Sequence, residues 1–203
     1  MLRLRILRRR ERRGRTLSLL REARGSALLE FAITLPLLVV FVVGIYDFSG
    51  AFNQKQKIAQ AAQEGAIIAG AQPMTDIVLG VSFHASNPDS LQPVVTAIVN
   101  SLAGSGVLPN ANTGSCKTPA PAPSQSGGLA WTYTISGCPD NLAITINRGW
   151  TSTSGTISSV GTIVQVQYPY HWRFNSVIQL LIPGATYAAT TSLTESATVH
   201  NQM

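Results

Sequence analysis

The chain has 203 residues, of which 15 are lysine or arginine and 9 are aspartate or glutamate, for a formal net charge of +6. This length accommodates one membrane segment and one modest domain. The first 24 residues contain ten arginines and two glutamates, whereas the remainder carries five cations and seven anions. This distribution argues against nucleic-acid binding, which needs a basic surface on a folded domain with base-reading partners.

The arginine-rich head, residues 1–24, precedes a long apolar segment. By the positive-inside rule, the head stays in the cytoplasm and the rest of the chain crosses the membrane. A cleavable secretory signal fits less well, because its apolar region is shorter and its cleavage site follows that region. A basic helix on the inner leaflet is the alternative to a short-lived leader.

Residues 26–46 are apolar apart from a few polar positions, and Glu30 is their only formally charged residue. A helix of this length spans roughly 30 Å, enough to cross a bilayer. An acidic side chain within such a span costs about 2.5 kcal/mol or more, so Glu30 requires a partner. Pro36 also lies in this membrane-spanning part of the helix, where it removes a backbone hydrogen bond and is expected to kink or loosen the helix.

The sequence around these residues resembles a known family. Gly25, followed by four small or apolar residues and then Glu30-Phe31, resembles the cleavage site of type IV prepilin-like proteins. The continuation through Pro36 to Leu38 is similar to the TadE-like pseudopilins of tight-adherence (Flp-type) pilus systems. The resemblance is most specific from Gly25 to about Ala71.

This resemblance implies that a prepilin peptidase cuts between Gly25 and Ser26, and that Glu30 meets the new amine of a neighbouring subunit. Opposite charges attract strongly in a low-dielectric setting, which supports such pairing; the alternative is that Glu30 is protonated in lipid. The implied partners are other pseudopilins, the major Flp pilin, the inner-membrane secretion platform and the lipid bilayer. The implied location is the inner membrane, in a single pass, with the C-terminal domain outside the cytoplasm. A rival interpretation is an uncleaved, membrane-anchored binding or adhesion module.

The helix is predicted to continue beyond the membrane over residues 47–72, which contain no proline and are rich in Ala, Gln, Lys and Glu. Its apolar and small residues recur at steps of three or four, which indicates one buried face. Gly70 and Pro73 are predicted to end it. Small residues at 59, 62, 65, 66 and 69 allow another backbone to approach closely, and packing within the domain accounts for at least half of them.

A short strand is predicted over 77–83, followed by a helix that Asp89 or Ser90 caps, that tolerates Pro93 in its first turn and that ends at Gly104. Residues 104–128 are rich in glycine, proline and serine and predict a loop. Cys116 in this loop and Cys138 are the only cysteines, and outside the cytoplasm a disulfide is the default. It would close a loop of about 20 residues and stabilise the fold by roughly 3 kcal/mol. Two unpaired buried thiols are the alternative.

Alternation of apolar residues predicts a hairpin with strands over 129–135 and 142–146 and a third strand over 162–168 that stops at Pro169. A short helix over 174–182 and a last strand over 187–199 follow. The predicted fold class is therefore α+β, with a long N-terminal transmembrane helix continuing into an extracytoplasmic domain that has a small, pilin-like antiparallel sheet.

No motif for catalysis or for phosphate binding is present, so the sequence does not predict an enzyme. No cofactor or metal site is predicted, since the histidines at 84, 171 and 200 are scattered and the cysteine spacing is not CxxC. Trp131, Trp150 and Trp172 are interpreted as core or sheet-rim residues, with a glycan site as the alternative. The predicted divisions are a cleaved basic leader (1–25), a transmembrane helix (26–46), its continuation (47–72), a strand and helix (73–103), a loop (104–128) and a sheet region (129–203).

Overall fold

The computed structural model describes residues 3–77, 87–154, 157–174, 179, 184 and 190–201, with side chains from residue 25 onward except at 154, 157 and 158. The described residues form two α-helices and one sheet of five antiparallel strands. The fold is α+β with a long N-terminal helix, which confirms the predicted class. The sheet is a simple meander, because its spatial order follows the order of the strands in the chain.

The long helix, α1, spans Arg3–Ala71 and includes Pro36 without interruption. Its apolar half, residues 25–46, has no buried face. Its outer half, residues 47–71, buries one face against the domain that follows. The predicted periodicity corresponds to this face, and four of the five small residues noted there are buried. The buried residues of the outer half are Ala51, Ile58, Ala61, Ala62, Gly65, Ala66, Ala69 and Gly70.

The second helix, α2, spans Gln92–Gly104 and packs on α1. Its inner face is apolar and buried, and it consists of Val94, Val95, Ile98, Val99 and Leu102. The predicted cap is wrong: a 3-10 turn over Asp89–Leu91 precedes α2, the N-cap position is Leu91, and no side chain caps the helix. Instead the backbone N–H of Ser90 donates to Asp76 Oδ2 at 2.8 Å.

The sheet consists of β1 (Ser124–Gly127), β2 (Ala130–Cys138), β3 (Asp140–Ser154), β4 (Ile157–His171) and β5 (Thr190–His200). Strands β2 and β3 form the predicted hairpin, with Tyr133 opposite Ile144. The inward side chains of β2, β3 and β4 alternate as predicted and close the core against α1 and α2. They are Trp131, Tyr133, Ile135, Leu142, Ile144, Ile146, Val164, Val166 and Tyr168.

Two strand predictions require correction. The 104–128 segment was expected to be loop throughout, but its last residues form β1, which pairs with β2. The turn between these strands contains Gly127 and Gly128, both of which have positive φ. Strand β4 does not stop at Pro169, which pairs with Ser192 of β5. The last register pair of β4 with β3 is Gln167 with Ala143, so the proline lies where the strand has one neighbour and a missing N–H is tolerated.

Other predicted elements fall partly outside the described residues. Of the predicted strand over 77–83, only Ile77 is described, and it is buried in a turn. Of the predicted helix over 174–182, Phe174 and Gln179 are described, and both are helical. The predicted last strand corresponds to β5, and residues 187–189 lie outside the description.

Candidate functional site

The predicted processing segment lies on the exposed, apolar half of α1. Gly25, Ser26 and Glu30 are helical and exposed, and no atom lies within 4 Å of a side chain placed on Gly25. Ser26 and Glu30 are four residues apart, so they share one helix face, separated by about 6 Å along the axis. Within the part of the chain that the structure describes, Glu30 has no hydrogen bond or ion pair. Any partner for its carboxylate therefore lies outside this part of the subunit.

Large apolar side chains cover this half of the helix on all sides. Phe41 is 64% exposed and Ile45 is 71% exposed. Among the described residues, the segment Gly25–Ala71 is the one helix long and apolar enough to cross a membrane by length and composition. A helix that is apolar all round is stable in lipid or against other helices, but not in water. The N-terminal helix therefore suggests a single-pass membrane anchor followed by a C-terminal domain.

The domain is attached to the helix at the end of this apolar segment by Asp47, which is 1% exposed. The Tyr170 hydroxyl donates to Asp47 Oδ1 at 2.8 Å and is 3.0 Å from the Asp47 carbonyl oxygen. The backbone N–H of Phe174 donates to Asp47 Oδ2 at 2.8 Å. Both carboxylate oxygens thus accept hydrogen bonds, one from the end of β4 and one from the chain that follows it, which balances part of the cost of burying a charge.

Aromatic rings surround this junction. The rings of Phe48 and Trp172 meet edge to face at 5.2 Å, and those of Tyr170 and Trp172 at 5.1 Å. The Trp172 indole N–H donates to Thr191 Oγ1 at 2.6 Å. A Cβ on Gly50 would lie 2.7 Å from the Tyr170 hydroxyl, so only glycine lets the tyrosine approach α1 here. Rings with polar ends are typical of the membrane–water interface, and these rings lie where the apolar segment ends.

Two polar contacts hold the outer half of α1. Lys55 Nζ lies 3.1 Å from Glu195 Oε1 in β5. The buried guanidinium of Arg148 in β3 donates to the carbonyl oxygens of Gln72 at 2.7 Å and Pro73 at 3.1 Å. These carbonyls lie at the C-terminal end of α1, where a cation also complements the helix dipole. Burial lowers the pKa of Arg148 from its usual value, while nearby Asp76 acts in the opposite direction.

Cys116 and Cys138 are joined by a disulfide and both are fully buried, so the loop before β1 is tied to the end of β2. The three tryptophans do not form one surface. Trp131 is buried in the core, Trp150 lies beside Gly161 in the sheet, and Trp172 belongs to the aromatic junction. Among the described residues, no group of three His, Cys, Asp or Glu is placed to hold a metal ion.

A model of the family described as TadE-like protein matches residues 25–66. This segment of the chain is similar to the TadE-like family. The match confirms the resemblance, and it begins at Gly25 and covers the exposed apolar half of α1 with most of its outer half. No curated protein and no solved structure matches the chain. A TadE-like segment suggests a protein associated with a tight-adherence (Flp) pilus.

Sequence reasoning missed Asp47, Tyr170 and Arg148 as a group of contacts that position the domain. Asp47 carried a local signal, because a single acid directly after a 21-residue apolar segment lies at a membrane boundary. Tyr170 and Arg148 carried no local signal in the sequence, since only the course of the sheet brings them to the two ends of the outer half of α1.

Proposed function

We propose that this protein is a TadE-like pseudopilin, a minor pilin that takes part in assembling a Flp-type pilus for adhesion. The observation that carries the proposal is the family match over 25–66, which starts at the glycine of the expected cleavage site. Its role is structural rather than catalytic. Its proposed partners are a prepilin peptidase, other pseudopilins, the major Flp pilin and the inner-membrane secretion platform.

The proposed topology has a cytoplasmic leader over residues 1–25, a span over 26–46 in the inner membrane, and the domain outside the cytoplasm. The concentration of arginine before Gly25 supports this orientation. The exposed apolar surface of α1 supports lateral packing with lipid and with other apolar helices.

Glu30 has a separate proposed role in subunit association. Cleavage after Gly25 creates an amine on Ser26, and the exposed Glu30 carboxylate lacks a partner among the described residues. Pairing with a neighbour's amine reduces the cost of placing both charges in the membrane.

The deciding experiment is N-terminal mass spectrometry of the protein expressed beside a prepilin peptidase. The wild-type chain should begin at Ser26, and Gly25→Leu should retain the arginine leader because the peptidase needs a small residue at the cut. A wild-type chain that still begins at Met1 would favour the uncleaved anchor instead.

Glu30→Ala and Glu30→Gln should be cleaved but should co-purify less well with other pilin-like subunits. Glu64→Gln is the matched control, because it removes an exposed carboxylate from the outer half of the same helix. Normal assembly of both Glu30 variants would refute charge pairing without affecting the cleavage proposal.

A further inference from the structure

A cleft of about 370 Å³ lies between α1 and the domain, where it is lined by Tyr170 and by Gly106 and Val107, which follow α2. On the α1 side it is lined from Tyr46, the last residue of the apolar segment, to Lys57, three helical turns farther out. At 1.5 Å per residue this is about 16 Å, whereas the headgroup layer on one side of a bilayer is about 5–8 Å thick. The cleft therefore opens at the depth of the headgroups and extends beyond them.

The lining of the cleft is polar and cationic. Lys57 and Arg173 both line it, and no carboxylate does. Asp47 lies nearby, but it is buried and both its oxygens already accept hydrogen bonds from the domain. Arg173 and Lys57 form no salt bridge within the described residues, whereas Lys55, two residues from Lys57, is paired with Glu195.

Neutral donors complete the lining, since Asn53 and Gln54 bring side-chain amides and Ser49 a hydroxyl. The Gln54 amide also donates to the Pro169 carbonyl oxygen at 3.4 Å, which fixes one wall to the end of β4. Two cations with several neutral donors in a concave site suit a phosphate group, whose oxygens only accept hydrogen bonds. Tyr46 at the membrane end provides an amphipathic ring beside the glycerol region.

We propose that this cleft binds the phosphodiester headgroup of an anionic phospholipid in the outer leaflet of the membrane that α1 crosses. The headgroup lies at the membrane end of the cleft beside Arg173, and its acyl chains extend along the exposed apolar surface of α1. The long side chain of Lys57 reaches it from farther out, because Cα–Cβ bonds in an α-helix tilt toward the N-terminus, which is the membrane side of α1. Binding fixes the height and the rotation of the domain on the membrane, because the two cations come from the helix and from the chain after β4. The proposal rests on anchoring by α1 and not on a role in pilus assembly.

The test uses the full-length protein in nanodiscs that contain equal parts of phosphatidylglycerol and phosphatidylcholine, with retained lipids counted by native mass spectrometry. The wild type should retain phosphatidylglycerol preferentially. Each cation that lies beside an anionic headgroup contributes roughly a fivefold preference for anionic lipid, so Lys57→Gln with Arg173→Gln should reduce the preference by about 25-fold. The matched control, Lys55→Gln with Lys117→Gln, has the same net charge and includes a lysine at nearly the same depth. Neither lysine lines the cleft and Lys55 is already paired with Glu195, so the control should keep most of the wild-type preference.

Equal retention of the two lipids by the wild type, or an unchanged preference in the Lys57/Arg173 variant, would overturn the proposal. An equal loss in the control variant would also overturn it, by showing a general charge effect. A parallel titration of detergent-solubilised protein with inorganic phosphate distinguishes a lipid headgroup from a free phosphate as the ligand of the cleft. Retention of phosphatidylglycerol against excess phosphate supports the lipid site, whereas its displacement would assign the cleft to soluble anions and refute the lipid proposal.

Discussion

At the residue scale, the contacts that place the domain on its anchor are buried polar groups at the two ends of the outer half of α1. Asp47 receives donors from the end of β4 and from the chain after it, and Arg148 donates to the carbonyls where the helix ends. Each group is costly to bury alone and stabilising when paired. Together they fix the helix to the sheet at points about 37 Å apart along its axis, as expected for 25 residues of helix.

Arg148→Met should destabilise the domain by about 2 kcal/mol, because the carbonyl oxygens of Gln72 and Pro73 lose hydrogen bonds from a charged donor. Relief of the buried charge offsets part of this cost, since burial disfavours the charged guanidinium. Urea unfolding in detergent measures the change, and hydrogen exchange should accelerate in the last turn of α1. Arg173→Met is the control because Arg173 is exposed; equal stability of Arg148→Met and the wild type would contradict this role.

The tyrosine at the membrane junction predicts a loss of stability at alkaline pH. Burial, with the hydrogen bond to Asp47 and its charge, raises the pKa of Tyr170 to about 12 from an ordinary value of 10.0. Burial and the charges of Asp76 and Asp89 likewise raise the pKa of Tyr133 to about 12. Because the folded state holds these protons more tightly, the contribution to stability is complete below pH 10 and declines between pH 10 and about 12.

Thermal unfolding across this pH range tests the expectation. Tyr170→Phe and Tyr133→Phe should each be less stable than the wild type at neutral pH, because a hydrogen bond is lost. Each should also show a smaller further decline between pH 10 and 12. Tyr46→Phe is the control, since Tyr46 is 68% exposed. An alkaline decline of the same size in all four proteins would exclude the phenols of Tyr170 and Tyr133 as its cause.

At the element scale, the sequence predicted what depends on local periodicity. The buried stripe of α1, the inner face of α2 and the alternation in β2, β3 and β4 all follow from apolar spacing. The prediction from sequence failed where pairing with a neighbouring strand decides the structure. The polar residues of β1 have no strand signal of their own, and Pro169 is tolerated only because β4 has one neighbour there.

The contact between α1 and α2 depends on a glycine. A Cβ on Gly65 would lie 2.5 Å from the Cδ1 atom of Ile98, which is fully buried. Gly65→Val should therefore destabilise the domain by about 1–3 kcal/mol through overpacking, despite a better helix propensity than glycine. Gly104→Val provides the same substitution at a helical glycine with open space around it. Denaturant midpoints compare the two variants, and equal midpoints would show that the helices separate without cost.

At the scale of the whole molecule, the orientation that the charge asymmetry predicts must agree with the disulfide that the domain contains. The sequence indicated an anchor and a domain, but it could not indicate that the domain reaches back to the end of the apolar segment. Tyr170 is 123 residues from Asp47, and only the course of β4 brings its hydroxyl to that carboxylate. The membrane-proximal surface of the domain is consequently a product of the tertiary fold, whereas the anchor is a local property of the sequence.

Topology and disulfide formation give one combined prediction for the full-length protein in its membrane. If the arginine head is cytoplasmic, the domain enters the oxidising side and Cys116 and Cys138 form their disulfide. Intact spheroplasts treated with a protease should lose the domain, and a thiol-reactive polymer should label the denatured protein only after reduction. The reduced sample is the internal control, because it should gain two labels. Labelling without reduction, together with protection from the protease, would place the domain in the cytoplasm and reverse the proposed orientation.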